Sequence, residues 1–313
     1  MSRPAPIALG IDVGGTKTLF AIVDVTSGGI AEQHRIDTPQ GGPSDAEFLQ
    51  RVETVARELV ASSGGGSVSA VGLGICELVD RHGEIKSGHR VHWQGLPVRA
   101  KLGAIAPAVV EADVRAAALA EVHFGAGRDY RDFLYVNIGT GISTCLVIDR
   151  EPFAGAHGNA LVIASAPSTM LCPDCGHLRD LVLEDFAGGA GLAARYREKS
   201  GVASAAASDV LARAEAGDPL ARQVIDEAAV LLGSALGMAI GMFDPEALIV
   251  GGGLGSSGGF YWERLESEIR RHVWSAETRG LAIRQAELKT RAGVIGAALA
   301  GYRAQTISSP KLR

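Results

Sequence analysis

Two apolar, β-branched runs open the chain, Ile7-Ala-Leu-Gly-Ile-Asp-Val13 and Thr18-Leu-Phe-Ala-Ile-Val-Asp24. Gly14-Gly15-Thr16-Lys17 lies between them, which predicts a β-hairpin. Over Asp45 to Ser62 the period changes. Phe48, Val52, Val55 and Leu59 recur at spacings of three or four, the mark of an amphipathic helix. Val68 to Ile75 is nearly continuous in apolar residues and predicts a strand buried on both faces. Ala108 to Asp113 reads as a short strand, and Val114 to His123 as an alanine-rich helix.

The second half opens like the first. Phe133 to Ile138 and Ile142 to Asp149 are strands around Gly139-Thr140-Gly141. The repetition suggests a diverged internal duplication, with a cleft between two related α/β halves where ligands would bind. Beyond Asp180 the pattern is helical. Asp218-Pro219 supplies an N-cap and a proline at the first helical position. Gly233, Gly237 and Gly241 fall four apart, on one helix face, where another backbone can come close. A strand, Ala247 to Val250, runs into Gly251-Gly252-Gly253, and helices follow at Phe260 to Val273 and Ala292 to Arg303. The tail Gln305 to Arg313 is expected to be loose.

Composition narrows the class. With 313 residues, 47% apolar and 21% charged, the chain has an ordinary globular make-up with room for a large core. A net charge of −5 gives no reason to expect nucleic acid or an anionic membrane as partner. The longest uncharged apolar stretch, Ala228 to Phe243, is shorter than the roughly 20 residues of a membrane span and reads as a buried core helix. Met1 to Pro6 lacks a signal-peptide pattern, and 4 cysteines do not make a disulfide framework, so a cytoplasmic enzyme is expected.

Three glycine turns, each ending an apolar strand, carry the candidate chemistry. Successive backbone N–H groups in such a turn form an anion-binding concavity. Thr16 adds a hydroxyl, and Lys17 or Asp12 can address phosphate or a hydrated Mg²⁺. There is neither a Walker A pattern nor a Rossmann G-x-G-x-x-G after the first strand, which disfavours a dinucleotide oxidoreductase.

These residues resemble a known family. Leu9-Gly-Ile-Asp12-Val-Gly-Gly-Thr-Lys17 is similar to the first phosphate motif of the ROK sugar kinases and repressors. Gly139-Thr140-Gly141-Ile142 resembles the second, and Leu248-Ile-Val-Gly251-Gly-Gly253 the adenosine motif. Glu111-Ala112-Asp113-Val114, followed by Ala116 to Glu121, resembles the block that carries the catalytic aspartate. The resemblance implies an actin-like, two-domain ATPase fold of duplicated ribonuclease H-like halves. It implies ATP with Mg²⁺, and transfer of the γ-phosphate to a sugar hydroxyl. Asp113 would be the base. Asp12, Gly14, Gly15, Thr16, Lys17, Gly139, Thr140 and Gly141 would hold phosphates and metal, and Gly251, Gly252 and Gly253 would pack against adenosine. The expected domains are residues 1–115 and 116–290, with 291–304 returning to the first. A homodimer is expected from the same likeness.

The sugar side departs from that pattern. Ala112 stands where the family has Asn before the catalytic Asp, and Gly74-Ile75-Cys76-Glu77 replaces its Gly-x-Pro-Gly loop. Ser87-Gly88-His89 replaces a Ser-Pro-Asn stretch, and Val162 and Ser165 replace Glu-x-x-His. Glu184 matches the second sugar-binding Glu. Sugar hydroxyls left without partners cost about 1–3 kcal/mol each, so glucose is expected to be a poor substrate. Glu77 and His89, with Asp113 and Glu184, are expected to address a different acceptor, such as a kanosamine-like amino sugar or a C7-cyclitol. The alternatives are an ordinary glucokinase or N-acetylmannosamine kinase, a sugar sensor without turnover, and an actin-class structural ATPase.

The family's zinc motif is reduced to Cys172-Pro-Asp-Cys175-Gly-His177. Cys172, Cys175 and His177 would supply three Zn²⁺ ligands, with His157 a candidate fourth. Cys76 and Cys145 lie on apolar strands and read as packing residues.

Overall fold

Residues 5–40, 44–63, 68–171 and 175–308 are described by the structure, a computed structural model. The chain divides into two units. One holds the residues up to Asp129, Arg150–Ala160 and the residues from Arg291; the other holds Tyr130–Asp149 and Leu161–Thr290.

The first unit is built on five strands: β1 (Ile7–Val13), β2 (Lys17–Asp24), β3 (Ile30–Asp37), β4 (Val71–Ile75) and β5 (Ala108–Ala112). Their order is β3-β2-β1-β4-β5, with β1, β4 and β5 parallel and the other neighbours antiparallel. Every residue of β4 is buried, as its unbroken apolar run predicts. Helix α1 (Asp45–Ser62) starts at a capping box in which Ser44 and Glu47 exchange hydrogen bonds. Its apolar face packs Phe48 against the fully buried Trp93, whose Nε1 donates to the Asp45 carbonyl. Helix α2 (Val98–Gly103) precedes β5, and α3 (Asp113–Phe124) follows it.

The C-terminal helix, α11 (Ala292–Ser308), completes this unit by packing on α3 and on the β1–β4 face of the sheet. Glycines make the approach possible. A Cβ on Gly10 would sit 2.0 Å from the Val294 carbonyl oxygen, and one on Gly72 1.6 Å from that of Ala297. Helix α11 runs past the Arg303 end read from the sequence. Gln305, expected in a loose tail, donates its side-chain amide to the Ser69 carbonyl. Likewise the division between units falls after α3 and not at residue 115, because the buried alanines of α3 pack on α11.

The second unit repeats the plan. Strands β6 (Phe133–Ile138) and β7 (Ile142–Ile148) form the hairpin; β8 (Glu151–Pro152), next in the chain, lies in the Arg150–Ala160 stretch of the first unit. Then come β9 (Pro167–Leu171), β10 (Leu178–Val182) and helices α4 (Leu183–Ala187), α5 (Gly189–Ser200), α6 (Ala207–Glu215) and α7 (Pro219–Phe243). Strand β11 (Ala247–Gly251), the short α8 (Gly252–Gly255), α9 (Gly259–His272), α10 (Ala276–Arg279) and β12 (Ala282–Gln285) close it. Within this unit the order β12-β11-β6-β7 matches β5-β4-β1-β2 of the first sheet, with β6, β11 and β12 parallel and β6–β7 antiparallel. Strands β9 and β10 pair separately.

Helix α7 is 25 residues long, so length alone does not separate it from a membrane span. Burial does: Val224, Ile225, Leu232, Leu236 and Ile240 lie in the core of this unit, and Gly233 and Gly237 press against α9. Asp218 caps α7 by accepting from the amides of Leu220 and Ala221.

Candidate active site

In the first unit the predicted residues gather at the carboxyl ends of the parallel strands, where open α/β sheets bind ligands. Asp12 is the penultimate residue of β1, Glu77 follows β4 by two residues, and Asp113 follows β5 directly. The sheet register pairs Asp12 with Gly74 and Gly74 with Glu111, so these chain positions come side by side.

Asp12 and Asp113 are a half-buried pair. Burial raises the Asp113 carboxyl to about 7, and the neighbouring Asp12 charge adds to the shift. Burial also raises Asp12, to about 6, while Lys17 pulls it back. Asp113 Oδ1 accepts from the Val114 amide at 2.6 Å, which fixes its rotamer at the start of α3. Gly293 leaves room for Asp12, since a Cβ there would lie 2.4 Å from Oδ2. Two carboxyls whose proton affinities are raised by burial, and in Asp113 also by the Asp12 charge, suit a base and a cation-binding partner.

The turn between β1 and β2 has all of its carbonyls engaged. Lys17 O accepts from Gly14 N–H at 3.0 Å, and Thr16 O accepts from Thr38 N–H at 3.1 Å. Thr38 Oγ1 donates to Gly14 O at 2.8 Å, and Gln40 Nε2 donates to Gly15 O at 2.5 Å. The amides of Gly15 and Thr16 have no acceptor among the described residues. The turn therefore shows N–H donors outward and little negative character, which is the polarity a phosphate needs.

Glu77 departs from the sequence expectation. It is 6% exposed, and both carboxylate oxygens are committed to the loop that follows. Oε2 accepts from the Ser87 hydroxyl and the His89 amide, and Oε1 from the amides of Arg90 and Val91. Burial opposes ionisation, but these donors outweigh it and hold the group below the usual carboxylate range. Glu77 is a clamp on its own loop, with its acceptor capacity used, and is not placed as a free partner for a substrate ammonium. His89 is exposed on that loop.

Arg115 escaped the sequence reading. It is buried on α3, pairs with Glu111, and donates to the carbonyls of Gly158 and Val79, both at 2.7 Å. One guanidinium, two residues from Asp113, thereby ties down two loops.

In the second unit Gly139, Thr140, Gly141, Glu184 and Gly251–Gly253 gather at the ends of β6 and β11. The amides of Gly189 and Ala190, opening α5, donate to Gly139 O at 2.8 Å and Thr140 O at 3.0 Å. Gly252, with φ +82°, lies so close to β6 that a Cβ would be 2.3 Å from Ile138 O. Gly139 and Gly253 have open space where a Cβ would stand. Glu184 Oε2 is 2.5 Å from the Cβ position of Gly141, and Oε1 accepts from Ser165 Oγ at 2.7 Å. Ser165, read from the sequence only as a lost histidine, is thus a polar partner of the proposed sugar-binding Glu.

The zinc expectation is not carried by the described residues. Cys172 lies outside them, Cys175 and His177 are exposed between β9 and β10, and Cys175 Sγ accepts from Arg179 at 3.6 Å. Among the described residues no group of three or more His, Cys, Asp or Glu side chains is placed to hold a metal ion. Cys145 is buried as a packing residue, and burial pushes the half-buried Cys76 thiol far up, with the carboxylates of Asp113, Glu77 and Asp12 adding to it.

Known proteins resemble this chain over most of their length. The glucokinase of Streptomyces coelicolor is 29% identical, the match covering 93% of this chain and 96% of that protein. The N-acetylmannosamine kinase of Salmonella typhi is 26% identical over 93% of this chain and 97% of its own. Among solved structures, a ROK family glucokinase from Streptomyces griseus in complex with glucose and AMPPNP superposes with a TM-score of 0.82 at 27% identity, covering 95% of this chain and 99% of that one. The fold is therefore the actin-like, two-domain one. The family model described as the ROK family matches residues 8–301, and the chain belongs to that family.

Proposed function

We propose that the protein is an ATP-dependent kinase that moves the γ-phosphoryl group to the primary, 6-type hydroxyl of a hexose-like ring. Its class is phosphotransferase with an alcohol acceptor, the class of the kinases it resembles along nearly its whole length. One observation carries the reading: the paired carboxyls of Asp12 and Asp113, in the same unit as a turn whose unengaged groups are N–H donors.

In this reading Asp113 takes the proton of the acceptor hydroxyl. The acceptor oxygen forms the new bond to the γ-phosphorus, the bond to the bridging oxygen breaks, and ADP leaves. The raised proton affinity of Asp113 places it near working pH, where a general base is most effective. The Gly14–Lys17 turn and the Gly139–Gly141 turn hold phosphates, and Gly251–Gly253, with the open space at Gly253, accept the nucleoside. The residues fit Mg²⁺. Asp12 offers a carboxylate destabilised by burial, which a cation would relieve, and the phosphates supply further oxygens. Mg²⁺ held by Asp12, directly or through water, would neutralise charge on the transferring group.

An acceptor other than glucose is part of the proposal, with kanosamine-like amino sugars and C7-cyclitols as the classes to try. Ala112 and Ser165 offer less hydrogen bonding than the side chains they replace, and Glu77 is spent on its loop. Glu184 with Ser165 is the polar pair left to orient a ring hydroxyl or amine. The test is ADP release with Mg-ATP across glucose, mannose, N-acetylmannosamine, glucosamine, kanosamine and valienol-type cyclitols. Turnover led by one non-glucose acceptor is expected. Glucose leading the panel by kcat/KM overturns the acceptor assignment, and acceptor-independent ADP release overturns the kinase reading.

A further inference from the structure

The loop held by Glu77 has a use that the kinase reading does not assign. A buried carboxylate accepting three backbone amides and a hydroxyl is an expensive way to shape a surface loop, because its desolvation must be offset by every one of those bonds. The amide of Arg90 is among them, at 2.6 Å. What that anchoring fixes is the course of the Arg90 side chain. Its Cγ, Cδ and Cβ lie 3.4, 3.6 and 3.7 Å from the Cβ position of Gly15, so the aliphatic stem runs across the face of the glycine turn. The guanidinium begins one bond beyond Cδ. Arg90 is exposed, and among the described residues it has no ion pair and no side-chain hydrogen bond. The turn that the stem touches carries the amides of Gly15 and Thr16, which also have no acceptor among those residues.

We propose that Arg90 is a phosphate-binding residue of the nucleotide site, its guanidinium closing over phosphate seated on the Gly15 and Thr16 amides, with Glu77 as the positioning residue that holds it there. The assignment rests on the kinase reading of the same turn. Chemically it joins a planar, permanently charged donor fork to a backbone anion nest, the pairing best suited to phosphate oxygens. A freely solvated arginine would need neither the pinned backbone nor the contact with Gly15.

The experiment compares wild type with R90M, R90K and, as a control, R99M on the exposed face of α2. Mg-AMPPNP binding is measured by calorimetry at low and moderate salt, and kcat/KM for Mg-ATP and for the best acceptor is measured separately. Hydrogen bonds to charged groups are worth enough that R90M is expected to weaken Mg-AMPPNP binding by about ten- to a hundred-fold. It should flatten the salt dependence of binding and move the acceptor KM by less than about threefold. R90K should recover part of the loss, since a point charge replaces the fork, and R99M should match wild type. Equal nucleotide binding by wild type and R90M overturns the proposal, as does an effect confined to the acceptor KM. Because the binding arm needs no acceptor, it separates the two levels. If wild type itself fails to bind Mg-AMPPNP, the kinase reading falls, and the Arg90 assignment falls with it.

Discussion

Three acidic residues sit within one strand-end cluster, and burial treats them in opposite ways. Glu77 has enough donors to stay ionised, whereas Asp12 and Asp113 do not and have their proton affinities raised. The consequence for stability has a definite sign. Asp113 has a folded-state value of about 7 against an ordinary 3.8, so between those limits the folded protein binds more protons than the unfolded chain. Stability from this group is therefore fully present below about 3.8 and is lost progressively as pH rises to about 7. With Mg-ATP and the best acceptor present, D113N is expected to abolish acceptor-dependent turnover. In nucleotide-free, EDTA-treated protein it should also raise the thermal midpoint at pH 8 by about 2–4 °C, with a rise of less than half that at pH 5. A midpoint unchanged at pH 8 would mean that Asp113 is not under electrostatic strain. The sequence disclosed that acids stand at these positions but not which were satisfied. Glu77, Ser87 and the amides of residues 89–91 are brought together by a turn that no local pattern announces. Arg90, in the same way, reads as one more loop charge until its stem is seen against Gly15.

Elements were legible where local chemistry determined them. Both hairpins, α1 with its apolar period, and α7 with Asp218 and Pro219 declared themselves through turn residues and spacing, while the capping box at Ser44 and Glu47 emerged only in the structure. Strand β3 did not, since Glu32, Gln33, His34 and Arg35 give it little apolar signal and most of it is exposed at a sheet edge. The glycine ladder on α7 was visible in sequence, but its use was not uniform. A Cβ at Gly237 would meet His272 Cβ at 2.7 Å and its carbonyl carbon at 2.9 Å, while at Gly241 nothing lies within 4 Å. G237A is accordingly expected to cost about 1–3 kcal/mol by forcing α7 and α9 apart. G241A should be neutral or stabilising by up to about 1 kcal/mol, through helix propensity alone. Chemical denaturation of the two variants checks the contrast, and equal effects would refute the assigned packing.

For the whole molecule, the duplication foreseen from two hairpins extends to four strands of each unit, whose order and parallel or antiparallel neighbours match. What no local reading could supply was the extent of the first unit, because it is completed by α11 from the far end of the chain. Val294, Ile295, Ala297, Ala298 and Leu299 are all buried there. A chain ending at Thr290 is expected to lose the cooperative unfolding of its first unit and to collect in the insoluble fraction. A soluble truncated protein with an intact two-unit calorimetric profile would contradict the role given to α11.

That arrangement has a consequence in time. Residue 292 leaves the ribosome 163 residues after Asp129, the last residue of the unit's N-terminal stretch (292 − 129). At about 5–20 residues per second, translation leaves the β1–β4 face bare for roughly 8–33 s. During that interval the nascent first half presents a glycine-lined, apolar sheet surface shaped for a helix not yet made. The birth of the protein, more than its mature state, is when it most needs a chaperone, and slower decoding between residues 129 and 292 would lengthen that exposure.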